Sequence, residues 1–300
     1  VDGSGITQDY YWDGYMEEAR LTIGKRRWTN DFNPPQALTY GMFTPRSDYA
    51  SVVFNNRIWV FGGFDGVLKN DIWSSQDGQT WSQEGNAPWT PRENHTAIVF
   101  DDGTNKIWIY GGKDEQGYLN DVWSSSDGIT WSAETLSDPH WSARANHQAV
   151  VNNGKIYVMG GKNSNGVNNE IWKSEDGHTF TQLNPSNHWA ARHGFAAVTY
   201  DNKIYVIAGE TASPATLQKD IWSSSDGIDW TDHGDQAFSA RKNFPALVFD
   251  SGRSSEIWVL GGEEDNNDDD VTNSTWHGNF EDFTIKQFED RKYFDNSDKP

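Results

Sequence analysis

Five arginines stand at matching places along the chain, in Phe43-x-x-Arg46, Trp89-x-x-Arg92, Trp141-x-x-Arg144, Trp189-x-x-Arg192 and Phe238-x-x-Arg241. Two residues after an arginine come Asp48, Asn94, Asn146 and Asn243, followed at once by Tyr49, His95, His147 and Phe244. Guanidinium groups gathered around an axis would clamp a carboxylate or sulfate bidentately. Repetition at every copy points instead to a strut, each arginine pairing with an acid of the next unit. Structural positions recur in repeat proteins, whereas ligand contacts diverge. Departures from the pattern therefore carry more information. Gly194 replaces the Asn or Asp of the other copies, and Glu210-Thr211 stands where Lys113 and Lys162 open the neighbouring loops. The aromatics that precede the arginines would stack sugar rings or pack between units, and packing is the expected role. The run Glu263 to Asp270, with Asp265, Asp268 and Asp270, holds enough oxygen ligands for Ca²⁺ but lacks EF-hand spacing, so a solvated acidic loop is expected. No HExxH occurs among the histidines, and no catalytic residue is assigned.

A block of about fifty residues positions all of these groups, and that length, read as four short strands, predicts a β-propeller blade. Gly62-Gly63, Gly111-Gly112, Gly160-Gly161, Ala208-Gly209 and Gly261-Gly262 mark the repeat. Trp73, Trp123, Trp172, Trp222 and Trp276 recur in the same register, as do Trp81, Trp131, Phe180, Trp230 and Phe283. In one copy, Asn94–Phe100 reads as a buried inner strand and Lys106–Tyr110 as the second, stopped by its diglycine. Asp121–Ser124 is the third, and Ser125–Trp131 is a hairpin built on Asp-Gly. The first of the two later tryptophans in each copy is expected in the core.

A sixth arginine copy, Phe288-Glu289-Asp290-Arg291, follows the fifth. Residues 1–42 and 289–300 together roughly equal one repeat, and closing a ring with both termini removes its open edges. Residues 1–300 are therefore read as one domain of six blades, with clear repeats over 43–288 and Asp9–Trp12 and Arg27–Thr29 as outer strands of the closing blade. Strand alternation puts the arginine segments and the loops after each diglycine on one face. The near-identical Asp-Gly hairpins fall on the other. Variable loops on a rigid scaffold are where binding resides.

The formal charge of −20 disfavours nucleic acid and anionic membranes as partners. No apolar run approaches membrane-spanning length. Cysteine is absent, which removes disulfides, thiolate metal sites and cysteine nucleophiles. The diglycine, the aromatic before it (Trp59, Trp108, Tyr157, Tyr205, Trp258) and the two spaced aromatics after it resemble the Kelch repeat. That resemblance implies an all-β propeller of four-stranded antiparallel blades. Kelch-like propellers include galactose oxidases, sialic-acid mutarotases and non-catalytic scaffolds. The oxidase cofactor needs a Tyr cross-linked to Cys, which this chain lacks. The expected function is a non-catalytic module that recognises a glycan or protein, secreted or on a bacterial surface. It would bind through the face bearing Arg92, Arg144, Arg192, Asn94, Asn146, His95, His147, Lys113, Lys162 and Glu210. The alternative is a carbohydrate-active enzyme similar to a sialic-acid mutarotase or a sialidase, with Glu210 or His147 as the acid/base group beside Arg192.

Overall fold

β-Branched and aromatic residues in runs of five or six, separated by residues that accept left-handed backbone, give short strands joined by tight turns. The computed structural model describes residues 43–212, 215–250, 255–264, 274–279 and 285–287. Blade 1 comprises β1 (Ala50–Phe54), β2 (Arg57–Phe64), β3 (Leu68–Ser75) and β4 (Trp81–Asn86). Blade 2 comprises β5 (Thr96–Asp101), β6 (Asn105–Asp114), β7 (Gly117–Ser125) and β8 (Ser132–Glu134). Blade 3 has β9 (Gln148–Asn152) and β10 (Lys155–Met159), then the small ladder β11 (Lys162–Asn163) and β12 (Gly166–Val167), then β13 (Ile171–Ser174) and β14 (Phe180–Leu183). Blade 4 adds the two-residue β15 (Arg192–His193) to β16 (Ala196–Tyr200), β17 (Lys203–Ala212), β18 (Ala215–Ser224) and β19 (Thr231–Asp235). Blade 5 is β20 (Ala246–Asp250), β21 (Ser255–Leu260), β22 (Thr275–Asn279) and β23 (Ile285–Gln287).

Every blade is an antiparallel meander, and the inner strands β1, β5, β9, β16 and β20 lie side by side in that order. Asn55-Asn56 and Asp201-Asn202 turn the first hairpins of blades 1 and 4 with both residues at positive φ, as a two-residue turn requires. Four hydrophobic clusters fill the four seams between successive blades. The described residues thus form five blades, not the six expected. The closing blade assigned to residues 1–42 and 289–300, including Asp9–Trp12, Arg27–Thr29 and Arg291, lies outside them.

Two devices join the blades. In blades 1, 2 and 4 the ladder slips at the diglycine position, between Phe61 and Gly63, Tyr110 and Gly112, and Ile207 and Gly209. Both glycines are at positive φ, and both are crowded. A Cβ on Gly112 would stand 2.7 Å from His95 Cβ of its own blade, and one on Gly62 would stand 3.2 Å from His95 Cε1 of the next blade. The second device is the Asp-Gly hairpin. Asp127 Oδ1 accepts hydrogen bonds from the Ile129 and Thr130 N–H groups, and Ser125 Oγ accepts one from Gly128 N–H. The same arrangement recurs at Asp77, Asp176 and Asp226. Burial opposes ionisation of Asp176, but the N–H groups of Thr179 and His178 outweigh it and draw its carboxyl down to about 2. Gly128 sits on the Trp59 ring of blade 1, and Gly177 on the Trp108 ring of blade 2.

A Cβ at Gly128, where φ is +81°, would lie 2.5 Å from the Trp59 ring. Gly128→Ala is therefore expected to destabilise the chain by about 2–4 kcal/mol, combining overpacking with left-handed strain. Gly154→Ala, at φ +69° with open space around it, carries the strain alone. Equal shifts of the urea midpoint for the two variants would refute the seating on Trp59.

The aromatic columns divide the packing unevenly. Trp81, Trp131, Phe180 and Trp230 are buried. Of the earlier column expected in the core, Trp172 is buried but Trp73, Trp123 and Trp222 are only half-buried. Each of these four donates its indole N–H to the acid two residues before it: Asp71, Asp121, Glu170 and Asp220.

Candidate functional site

That acid is the partner of the repeated arginine. Arg92 holds Asp121 through two hydrogen bonds, 2.6 and 2.8 Å, and Arg192 holds Asp220 in the same way. Arg46 pairs with Asp71, and Arg144 with Glu170. Burial works to raise the carboxyls of Asp71 and Glu170, but the hydrogen bonds from Arg46 and Arg144 hold both below the ordinary range. In blade 5 the corresponding position is Ser274, and Glu264 supplies the carboxylate to Arg241 from the preceding loop. Each guanidinium also donates to the carbonyl of the first diglycine residue: Gly62, Gly111, Gly160, Ala208 and Gly261. All five arginines are at most 4 % exposed.

These pairs lie within a blade, contrary to the expected pairing across to the next one. The main chain makes the crossing. Arg92 N–H donates to Lys69 O of blade 1, and Arg92 O accepts from Gly63 N–H of blade 1, while the side chain grips blade 2. Arg144, Arg192 and Arg241 repeat this on blades 2, 3 and 4. The arginines are therefore staples between blades, with no donor turned to the axis.

The face they were expected to line is built from other groups. Asp48, Asn94, Asn146, Gly194 and Asn243 all take left-handed backbone. Asn94 N–H donates to Asp48 O, Asn146 to Asn94 O, Gly194 to Asn146 O and Asn243 to Gly194 O, forming an arc across the starts of the inner strands. Outside this arc, the residue after each arginine bridges to the residue after each diglycine: Ser47 to Phe64, Glu93 to Lys113, Ala145 to Lys162, His193 to Glu210 and Lys242 to Glu263. Below the arc, inner-strand residues such as Ile98, Val150 and Val198 border a wide-open hollow of about 330 Å³.

Of the sequence-derived candidates, Asn94, Asn146, Lys113, Lys162 and Glu210 come together on this rim. Lys113 and Lys162 are exposed and form no ion pair among the described residues. Glu210 is 8 % exposed and receives a 3.1 Å hydrogen bond from Lys242 Nζ, with His193 Nε2 3.4 Å away. Burial, ahead of the opposing pull of Glu210, keeps His193 below its ordinary pKa. Burial and then Asp48 raise the Glu93 carboxyl, against Lys113. His95 and His147 are not on the rim but are wedged beneath it, and burial holds both rings down to about 3. Neither His147 nor Arg192 is open to a substrate beside Glu210, so the acid–base arrangement weighed from the sequence is not gathered. Asp265, Asp268 and Asp270 lie outside the described residues.

Sequence reasoning missed His193 and Lys242 as rim residues and placed Phe64 only among the variable loops. The signal was available: they occupy the columns one place after the arginine or one place after the diglycine.

Residues 18–209, more than half of the chain, match the family model described as the KLHDC2/KLHL20/DRC7 Kelch-repeats domain. The chain belongs to the Kelch-repeat family. A second match, to the DUF6242 beta propeller domain, covers residues 175–287 of this Kelch chain. The leucine-zipper-like transcriptional regulator 1 homolog of Drosophila melanogaster is 33 % identical over 87 residues, which are 25 % of this chain and 8 % of that protein. The Kelch chain thus spans a small part of that relative's length. Among its described residues, no helix is long and apolar enough to cross a membrane.

Proposed function

We propose that this Kelch propeller is a non-catalytic interaction module that binds a protein partner, rather than a glycan, on the rim around Asn94 and Asn146. The burial of the aromatic column carries this reading. Four of its five members, Trp89, Trp141, Trp189 and Phe238, are at most 3 % exposed and offer a sugar ring nothing to stack on, while half-buried Phe43 is engaged edge-on with Trp81. The same face instead presents Phe64, 40 % exposed, and Val67, 58 % exposed, on the blade 1 loop. An exposed aromatic on the same rim as the ammoniums of Lys113 and Lys162 has the character of a protein-binding anchor with a polar rim.

The test is a glycan-array screen and affinity capture with the purified chain, followed by titration of any captured protein. Phe64→Asp is expected to weaken binding at least tenfold, because central aromatic anchors carry about 2 kcal/mol or more. Lys113→Glu with Lys162→Glu should also weaken it, and added salt should reduce affinity. Ile129→Asp and Ile228→Asp, at hairpin tips on the opposite face, should leave binding unchanged. Strong glycan binding, or sensitivity at the tips alone, would overturn the assignment.

A further inference from the structure

Five side chains pack against the second residue of a diglycine, and three of them are aromatic hydrocarbons or phenols: Tyr49 on Gly63, Phe195 on Gly209 and Phe244 on Gly262. The other two are His95 and His147. Packing at these places needs only an aromatic ring: Phe195 meets Gly160 of blade 3 and Gly209 of blade 4 as His95 meets Gly62 and Gly112. An imidazole fills the same space and adds nitrogens that titrate. His95 and His147 are 6 % and 2 % exposed, and no ring nitrogen of either makes a well-formed hydrogen bond to a protein group. The His147 ring lies against Trp141, with centroids 5.8 Å apart.

We propose that His95 and His147 form an acid-operated latch under the rim of blades 2 and 3, closed while the rings are neutral and released when they take up protons. Its use in discharging a bound partner in acid rests on the binding face proposed above; the latch itself does not.

Burial sets the direction, and the charged surroundings modify it. Arg92 opposes a charge on His95, while Asp121 and the Phe61 carbonyl weakly favour one. Arg144 and His95 both oppose a charge on His147. Seated rings therefore stay neutral down to about pH 3, whereas a ring swung into water titrates near its ordinary value of about 6.5. A seated pKa below the open one stabilises the closed form fully above pH 6.5, and that advantage is lost as pH falls towards 3. At pH 5 opening becomes about 30-fold easier for each histidine that is freed. The segments that would loosen carry Glu93, Asn94, Ala145 and Asn146, and with them the bridges to Lys113 and Lys162.

Hydrogen exchange read by mass spectrometry on the whole chain at pH 7 and pH 5, corrected for intrinsic rates, tests this without a ligand. Protection over residues 93–99 and 145–151 is expected to fall about 30-fold or more at pH 5, while residues 196–207 keep theirs. His95→Phe with His147→Phe should abolish the difference. His95→Tyr with His147→Tyr, which copies the ring that Tyr49 already supplies, serves if the Phe pair folds poorly at pH 7. An unchanged wild type, an equal loss in the substituted chain, or an equal loss across blade 4 would each overturn the latch. Confirmed loosening with no partner found on the rim would uphold the latch and count against the binding proposal alone.

Discussion

Arg192→Ala will destabilise the chain by about 3–5 kcal/mol, the range for removing one member of a buried ion pair. The arginine is 1 % exposed, and the Asp220 side chain 15 %. Alanine would leave the carboxylate with only the Trp222 indole N–H, at 2.8 Å. It would also strip the Ala208 carbonyl, 2.8 Å from Nη1, and the Ala190 carbonyl, 3.1 Å from Nε, of their side-chain donor. Lysine keeps the charge but cannot reproduce the fork, so Arg192→Lys should recover only part of the loss. Replacing both members, Arg192→Met with Asp220→Leu, should recover more, because no carboxylate is then stranded. Urea midpoints of the single and double variants measure this. A loss under about 1 kcal/mol for the alanine variant would place the pair with ordinary surface salt bridges.

Trp189→Ala is expected to cost about 3–5 kcal/mol, as deletion of a large buried aromatic does. The indole is fully buried, edge-on to Trp230 with centroids 6.3 Å apart and tilted against Phe195 at 5.5 Å. It belongs to the cluster that joins blades 3 and 4 through Tyr157, Met159, Ile204 and Val206. Trp123→Ala, at a half-buried position, should cost less. The contrast separates a seam residue from one held mainly by its hydrogen bond to Asp121. Equal losses for the two would mean that Trp123 is as deeply packed as Trp189.

The repeat made the architecture legible because turn residues, diglycines and aromatics each answer to a local backbone need. Asp127-Gly128 calls for a tight turn, and Gly111-Gly112 for crowded left-handed backbone that admits nothing larger than the methyl of Ala208 in the fourth copy. The destination of the arginines was harder to see, since spacing alone does not say whether a guanidinium faces the axis or turns outward along its own sheet. The deciding sign was in the sequence: an acid two residues before the first tryptophan, in Asp71-Ile72-Trp73, Asp121-Val122-Trp123, Glu170-Ile171-Trp172 and Asp220-Ile221-Trp222. Blade 5 breaks that sign, with Ser274 in the acid's place, and Glu264 compensates from a loop whose path no periodicity specifies. The histidines misled for a related reason. Their column was recognised, but a column shared with Phe195 and Phe244 belongs to packing, and only the seam geometry placed the rings under the rim.

The staple also has a consequence for how such a chain grows. Each arginine and its acid are encoded within one repeat, so the side-chain-specific half of the joint travels with its own module. The half that reaches the neighbour uses only main-chain N–H and carbonyl groups, which every repeat offers whatever its side chains. At this joint, then, any module can follow any other. A duplicated or transplanted repeat brings its own lock and finds a generic socket waiting, which leaves the exposed loops free to change without renegotiating the contact between neighbours.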